Sequence, residues 1–411
     1  MSIRRLKSIP PDTAKARFLR LADNHFQWWL RLPIVNLLWR RDFVRFAVSL
    51  NFLIDQVLEA LLTLNCLESK PAGGKDFSTY YLLPELGVKP VDLMERLERI
   101  VSLHNLYTSE RESRRLLRET LSLGVEKFEL GFGWLRMVQD PSRPSGFRLS
   151  PNPEHHLLIA EKLAVLYRTL ESVVAIGASG SVARDLADET SDLDLDIICS
   201  QTPAENARNN VASRLADNAD DIRLQSTQDS TTEEFFIGGV LIDVRYWVLS
   251  RLSEIVDTLG VKSYWDENAL AHLDSMKAIW DPDAVITDHK DRLEKNASLI
   301  RSKRVSKCLR SLSQSIHDLQ QSSVGKPSRV DFFFALTDSI MEFFNVLSAM
   351  NNRWIIFPKY AHQWTEGLET CVPNFCSQVE SIILNGIDPQ RYGEITSSMT
   401  RLLEEIQSLP V

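Results

Sequence analysis

Three aspartates at alternating positions are the strongest chemical signal in this sequence. Asp192, Asp194 and Asp196 stand in the segment SDLDLD, and an aliphatic residue follows each of them. Side chains two residues apart on a strand point to the same face, roughly 6 to 7 Å from each other. Mg²⁺ favours one or two carboxylates together with water and substrate phosphates. The spacing therefore predicts a strand whose aspartate face binds a divalent cation.

A further carboxylate is expected from a neighbouring strand. Asp243 lies in LIDVRYW, 49 residues after Asp194, and alternation places Arg245 and Trp247 on its face. In a two-metal site, the ions activate an attacking hydroxyl and stabilise the leaving oxygen of an in-line displacement. The predicted metal ligands are therefore Asp192, Asp194 and Asp243, holding two Mg²⁺ ions.

A small-residue turn precedes the aspartates. Gly180 and Ser181 follow the apolar run SVVAIGA, which is typical of a short buried strand. Glycine lets a ligand approach the backbone closely, serine can donate a hydrogen bond, and a following helix start presents N–H groups. The turn therefore predicts a phosphate-binding segment beside the metal.

Helical segments surround these strands. The helix period in residues 1 to about 165 and from about 251 onward predicts helices, and Gly238-Gly239 predicts a two-residue hairpin between two β-rich runs. We therefore expect an α+β fold with a small mixed sheet flanked by helical domains. The predicted boundaries are 1–150 for an N-terminal helical domain without an assigned role, 151–262 for the catalytic sheet, and 263–411 for an acceptor-binding helical bundle.

The segment GSVARDLADETSDLDL resembles the signature of the DNA-polymerase-β-like nucleotidyltransferase superfamily. The likeness covers roughly residues 172 to 248, and its style is that of the minimal and the kanamycin- and lincosamide-type antibiotic nucleotidyltransferases. It implies that Ser181 holds a nucleoside triphosphate, that Asp192 and Asp194 bind Mg²⁺, and that Asp243 is a third carboxylate and a candidate base. The predicted nucleotide contacts are Gly180, Ser181, Arg184 and Ser191.

Two residues depart from that signature. Many relatives have glycine where this chain has Asp185, and Asp196 adds a third acid to the metal face. Either change could tune the site or weaken it. For Asp196 we favour a structural interpretation, in which an arginine such as Arg184 or Arg245 pairs with it.

A C-terminal helix supplies a candidate for the acceptor. The segment SIMEFFNVLSAMNNRW loosely resembles the helical domain of small-molecule nucleotidyltransferases, in which an acidic residue orients or deprotonates the acceptor hydroxyl. Glu342 is the predicted catalytic residue there, with Asp338 as an alternative. The polar positions of this helix form one stripe, which consists of Asp331, Asp338, Glu342 and Asn345. A polar stripe that simply faces solvent is the competing interpretation.

Together these features predict a Mg²⁺-dependent enzyme that transfers a nucleoside monophosphate, most often AMP, from a triphosphate to a hydroxyl of a small acceptor. ATP is the favoured substrate, and pyrophosphate is released. The sequence contains no GxxxxGK[ST], GxGxxG, GxSxG or HExxH motif that would indicate other chemistry. Two alternatives stay open, namely transfer to a protein or an RNA end, and a weakly active nucleotide-sensing or interaction protein.

Composition limits the partners and the compartment. The net charge of −8 argues against a general nucleic-acid coat, although ten Lys and Arg in the first 45 residues form a basic arm that leaves RNA as a less favoured partner. Five cysteines without a CxxC pair fit a reducing compartment. The N-terminal residues lack the apolar core of a signal peptide, and FQWWLRLPIVNLLW is too short to span a bilayer. We therefore expect a cytoplasmic protein without a membrane partner, and the oligomeric state stays open.

Overall fold

The computed structural model describes most of the 411-residue chain. The described residues are 7–21, 42–68, 86–103, 105–129, 153–187, 191–219, 222–226, 231–260, 264–324, 328–354 and 361–410. Most of the basic arm, the predicted loop at 69–79, and residues 188–190 of the tract between Ser181 and Asp192 lie outside them.

The chain divides into two compact units that do not follow chain order. Unit 1 contains residues 1–144, 307–347 and 357–410, and unit 2 contains 145–306 and 348–356. The predicted catalytic strands all belong to unit 2. The predicted division into three successive domains stays a prediction.

Unit 2 is built on one six-stranded mixed sheet. Its strands are β3 (Val173–Ala178), β4 (Leu193–Cys199), β5 (Arg223–Ser226), β6 (Thr231–Ile237), β7 (Val240–Val248) and β8 (Lys277–Trp280). The strand order is β5-β6-β7-β4-β3-β8, and β4 and β7 are parallel whereas the other neighbours are antiparallel. The two strands that carry the predicted ligands are therefore adjacent.

Two sequence features account for the central strands. Gly238 and Gly239 have φ values of 57° and 82°, so they form the tight turn between β6 and β7 that their sequence predicts. In β4 and β7, aliphatic residues at alternating positions enter one core, and Ile198 near the end of β4 enters a second core on the other face. The predicted α+β fold with a mixed sheet and flanking helices is confirmed.

Helices cover both faces of the sheet. On one face, α5 (Pro153–Tyr167) and α7 (Glu205–Ala212) pack on the aliphatic sides of β4 and β7. On the other face, α8 (Leu249–Thr258), α9 (Tyr264–Ser275) and the first part of α10 (Val285–Ser322) form a second apolar core. A single helical turn, α6 (Gly180–Ala183), follows β3. The polar side chains of β4 and β7 lie on the face of the second core.

Unit 1 consists mainly of helices with a short two-stranded pair, β1 (Lys7–Ser8) and β2 (Leu67–Glu68). The helices are α1 (Pro11–Leu21), α2 (Phe43–Leu64), α3 (Leu93–Val101), α4 (Leu106–Lys127), the end of α10, α11 (Arg329–Met350), α12 (Ala361–Glu366), α13 (Phe375–Leu384) and α14 (Tyr392–Gln407), with a 3₁₀ turn at Pro389–Arg391. Aromatic contacts stabilise the packing of α11, whose Phe332 stacks on Tyr392 at 3.8 Å between ring centres.

Helices α2 and α11 are apolar along most of their length. By length and composition alone, both could cross a bilayer, but 83% and 78% of their most apolar windows are buried inside the protein. Core helices of folded domains have the same composition, so this test does not point to a membrane.

Candidate functional site

The two parallel central strands place the predicted carboxylates side by side. In the register of β4 and β7, Asp194 lies opposite Asp243, and Asp196 lies opposite Arg245. All four side chains belong to the polar face of these strands. The side chain of Asp194 is 8% exposed and that of Asp243 is 21% exposed. Sequence alternation therefore correctly predicted the face that these residues share.

Arg245 joins the two carboxylates. Its Nη1 donates to Asp194 Oδ1 at 2.8 Å, and its Nη2 donates to Asp243 Oδ2. Burial disfavours the charge on Arg245, but Asp243 and Asp194 outweigh that cost and raise its pKa, so the guanidinium stays charged. The sequence placed Arg245 on this face as a candidate partner of Asp196, and it did not predict the contacts with Asp194 and Asp243.

The Gly180–Ser181 turn contacts the Asp194 carboxylate directly. Gly180 has a φ of 66°, and a Cβ on this residue would lie 1.9 Å from Asp194 Oδ2. The N–H of Ser179 donates to the Asp194 carbonyl oxygen at 3.0 Å, which ties the turn to β4. The structure therefore brings the predicted phosphate segment and the predicted metal ligand together.

The hydroxyl of Ser181 has no hydrogen-bond partner among the described residues. Its side chain is buried, and its Oγ accepts or donates no hydrogen bond within the described part of the chain. A buried hydroxyl without a partner costs about 1 to 3 kcal/mol, so such groups call for an explanation. A ligand oxygen at this turn would satisfy it.

Asp192 and Ser191 precede β4. Asp192 is half-buried, and its charge acts on both Asp243 and Glu234. The Nε2 of His156, a fully buried residue on α5, lies 3.0 Å from the Ser191 carbonyl oxygen. Because a carbonyl can only accept, His156 donates this hydrogen bond and fixes the entry to the aspartate strand.

Glu234 joins Asp192, Asp194 and Asp243 at the site. This residue was missed in the sequence analysis. It lies on β6 directly opposite Asp243, so their side chains share a face of the sheet. Burial raises the pKa of Asp243 well above its usual range, and the charges of Asp194, Glu234 and Asp192 add to this rise while Arg245 opposes it. The charge of Arg245 therefore acts on Asp194, Asp243, Asp196 and Glu234.

Asp196 has different partners from those expected. Trp247 Nε1 donates to its Oδ1 at 2.7 Å, and His272 Nδ1 lies 3.2 Å from its Oδ2. Ser179 Oγ lies 2.6 Å from the same His272 nitrogen. Burial alone would raise the pKa of Asp196, but His272, Arg245 and Ser179 outweigh burial and lower it. The direct hydrogen-bond partners of this fully buried carboxylate are indole and imidazole groups, while Arg245, opposite it in the strand register, acts on it through its charge.

The backbone at Asp185 has a conformation that favours glycine. Its φ is 56°, in the left-handed region that glycine adopts without strain and that aspartate tolerates better than most residues. Its side chain is 81% exposed, with Lys277 Nζ 3.9 Å away. Arg184, immediately before it, is also exposed at the end of the turn. The role of Arg184 in nucleotide binding stays a prediction.

Glu342 and Asp338 lie on α11 in unit 1. Both are half-buried, Asn345 Nδ2 donates to Glu342 Oε2 at 3.3 Å, and Asn51 Nδ2 of α2 donates to Asp338 Oδ1 at 3.4 Å. The polar stripe therefore takes part in side-chain contacts rather than lying fully in solvent. The proposed action of Glu342 on an acceptor stays a prediction.

The donor set fits a cation that brings most of its own ligands. Among the described residues, no group of three or more His, Cys, Asp or Glu side chains is placed to hold a metal ion. Asp194 and Asp243 are nevertheless adjacent, both carry oxygen ligands, and the orphan Ser181 hydroxyl lies on the turn that touches Asp194. Mg²⁺ needs only one or two carboxylates when waters and phosphates complete its shell. The two aspartates would hold such an ion.

Comparisons with known proteins add one structural likeness. The sequence matches no protein-family model and no curated protein. The structure is similar to a nucleotidyltransferase-like protein from Exiguobacterium sibiricum 255-15, with 13% identity, a TM-score of 0.31, and coverage of 60% of this chain and 74% of that chain. At this TM-score, the function has to be argued from the residues of the site.

Proposed function

We propose that this protein is a Mg²⁺-dependent nucleotidyltransferase that moves a nucleoside monophosphate from a triphosphate to a hydroxyl group, releasing pyrophosphate. The observation that carries the proposal is the contact between Gly180 and the Asp194 carboxylate, with Asp243 beside it. A turn that a phosphate can approach and a pair of carboxylates for a cation are the two parts that phosphoryl transfer requires. The closeness of Gly180 to the Asp194 carboxylate in unit 2 supports the proposal.

The residues would act by positioning and by charge. A bound Mg²⁺ would neutralise phosphate oxygens and favour the attack of the acceptor oxygen. Asp194 and Asp243, with Asp192 at the entry to β4, would hold the cation. Ser181 would donate its hydroxyl to a phosphate oxygen, which gives this buried group the partner that it lacks. In phosphoryl transfer, such positioning and electrostatic stabilisation supply most of the rate.

The acceptor belongs to the same proposal. A small molecule with a free hydroxyl is favoured over a protein or RNA end, and ATP is favoured as the donor. Glu342 stays the predicted residue for orienting or deprotonating that hydroxyl.

One observation favours a second candidate function, a nucleotide-sensing protein with weak or no turnover. The carboxylates Asp194 and Asp243 both pair with Arg245, and Asp196 contacts Trp247 and His272. Such a site could bind a nucleotide although its carboxylates are paired with protein groups and not with a metal ion. Binding and turnover therefore have to be measured separately.

Pyrophosphate release tests the proposal directly. The wild-type protein is incubated with Mg²⁺, each of the four nucleoside triphosphates and a panel of hydroxyl-bearing acceptors. We expect release with one triphosphate, and a loss of at least about a hundredfold in Asp192→Asn/Asp194→Asn, because electrostatic groups at a transferring phosphate contribute on this scale. Circular dichroism would show that the double variant is folded.

A matched control lies in the same segment. Asp185→Asn removes one exposed carboxylate near the turn and should leave pyrophosphate release unchanged within about twofold, because an exposed charge is screened by solvent. Wild-type protein that binds a triphosphate but releases no pyrophosphate with any acceptor would contradict the enzyme proposal and support nucleotide sensing.

A further inference from the structure

Arg245 occupies the position between two carboxylates where a divalent cation would bind. It donates to Asp194 Oδ1 from one terminal nitrogen and to Asp243 Oδ2 from the other. Its side chain is only 14% exposed, and the two carboxylates are 8% and 21% exposed. The guanidinium is therefore largely shielded from water. It pairs with the same two carboxylates that would bind the divalent cation.

The negative charges around Asp194 and Asp243 explain why this position needs a cation even when no metal is bound. Asp194, Asp243, Glu234 and Asp192 lie close enough to affect each other, and unpaired carboxylates in a poorly hydrated site repel strongly. An arginine remains protonated at every ordinary pH and binds two carboxylates with its planar fork. Arg245 thus stabilises the strand pair β4–β7 when no metal is present.

We propose that Arg245 is a tethered cation that competes with the divalent metal, so that the metal binds Asp194 and Asp243 only when the guanidinium leaves them. This inference rests on the metal dependence in the proposed function and adds a residue that limits metal affinity. The released guanidinium can donate to two phosphate oxygens, since bidentate binding to phosphate matches its geometry. An incoming triphosphate would therefore favour the exchange by accepting Arg245 while its metal takes the carboxylates.

Direct Mn²⁺ binding without nucleotide tests the competition. Mn²⁺ affinity is measured by electron paramagnetic resonance and by titration calorimetry for wild type and Arg245→Met. Met keeps an unbranched side chain of similar length and removes the charge. We expect Arg245→Met to bind Mn²⁺ at least about tenfold more tightly than wild type. The free energy of a tenfold change is a modest part of the Coulomb energy between two unit charges at this distance. Mn²⁺ should also raise its melting temperature more than that of wild type.

A control variant and a conservative variant make the result specific. Arg251→Gln removes a half-exposed arginine of unit 2 that pairs with Glu254 and Asp266, and it should leave Mn²⁺ affinity unchanged. Arg245→Lys keeps a charge but cannot form the two-pronged contact, so its affinity should lie between those of wild type and Arg245→Met. It also provides the test if Arg245→Met does not fold.

Equal Mn²⁺ affinities of wild type and the Arg245 variants, including no measurable binding by any of them, would overturn the inference. Its failure is distinct from failure of the proposed function, because metal binding is measured here without nucleotide or turnover. A protein without pyrophosphate release whose Arg245 variants gain Mn²⁺ affinity would retain the competition and lose the enzyme activity.

Discussion

At the scale of single residues, Gly180 is the position where the site tolerates least change. Its φ of 66° and the distance of 1.9 Å from a built Cβ to Asp194 Oδ2 exclude any side chain without movement of the turn or the carboxylate. The sequence predicted a glycine that allows a ligand to approach. The structure shows that the same glycine first allows the Asp194 carboxylate to approach.

Gly180→Ala should therefore lower both stability and activity. We expect the free energy of unfolding to fall by roughly 1 to 3 kcal/mol, the range for a strained left-handed residue, and pyrophosphate release to fall with it as Asp194 is displaced. Urea unfolding measures the first effect. Gly393→Ala is the matched control, since a Cβ there meets no atom within 4 Å and alanine favours the helix. Equal stability of Gly180→Ala and wild type would contradict the steric argument.

The two residues that depart from the family signature have separate explanations. Asp185 occupies a left-handed position where a glycine is the easier choice, and its exposed carboxylate lies near Lys277. Asp196 is a buried anchor that links β4 to Trp247 and His272, and through His272 to Ser179 at the start of the turn. Alternation predicted the face of Asp196, but its partner on α9 lies 76 residues away and no local pattern indicates that contact.

At the scale of elements, much of the site followed from strand patterns. The two-residue turn at Gly238-Gly239 pairs Ile237 with Val240, and the same register, extended along the hairpin, places Glu234 opposite Asp243. Glu234 was therefore within reach of the sequence, although it was missed. In contrast, the pairing of β4 with β7 joins strands separated by a helix and a hairpin. The contact between Arg245 and Asp194 depends on that pairing, so it could not be read from either strand alone.

A buried polar cluster on the opposite face of the sheet holds three elements together. Tyr167 of α5 donates to Glu233 Oε2 at 2.6 Å, and Arg208 of α7 donates to Glu233 Oε1 at 3.3 Å. Arg208 also lies 5.2 Å from the centre of the Tyr246 ring. Burial raises the pKa of Glu233, whereas Tyr167 and Arg208 oppose this rise. The cluster connects α5, α7 and β6, and so supports the strand next to β7.

Removal of both charges from this cluster should cost less than the two single removals added together. Arg208→Met removes the positive charge beside Glu233 and leaves a buried carboxylate with its uncharged partner Tyr167, and we expect a loss of about 3 to 5 kcal/mol in unfolding free energy. The double variant Arg208→Met/Glu233→Gln should lose clearly less than the sum of the two single losses, because no unpaired charge remains. A double-mutant cycle in urea measures the difference. Additive losses would show that the two side chains are not coupled.

At the scale of the whole molecule, each compact unit is built from segments that are not continuous in sequence. Unit 1 joins three segments, 1–144, 307–347 and 357–410, and unit 2 lies between them in sequence. Periodicity predicts that a segment is helical and which side is apolar, but it does not say which other helix covers that side. The prediction of helices flanking a small sheet needed only local patterns. The partner of α11 in the core, for example α13, required the structure.

Each unit contains one buried cysteine that reports on its own core. Cys199 lies in the sheet of unit 2 and Cys376 lies on α13 of unit 1, and burial raises the pKa of each thiol to about 12. Since the thiolate is the reactive form, neither should react with iodoacetamide in the native protein at pH 8, whereas both should react after unfolding.

We expect the two thiols to become reactive at different urea concentrations. Each unit has its own apolar core, and chains with more than one core commonly depart from two-state unfolding. Pulsed alkylation along a urea series, read by mass spectrometry of the two cysteine peptides, gives a midpoint for each unit. The matched control is Glu233→Gln, which lies in unit 2 and should lower the midpoint of Cys199 while leaving that of Cys376 in place. Coincident midpoints that shift together in this variant would show that the chain unfolds as one cooperative body.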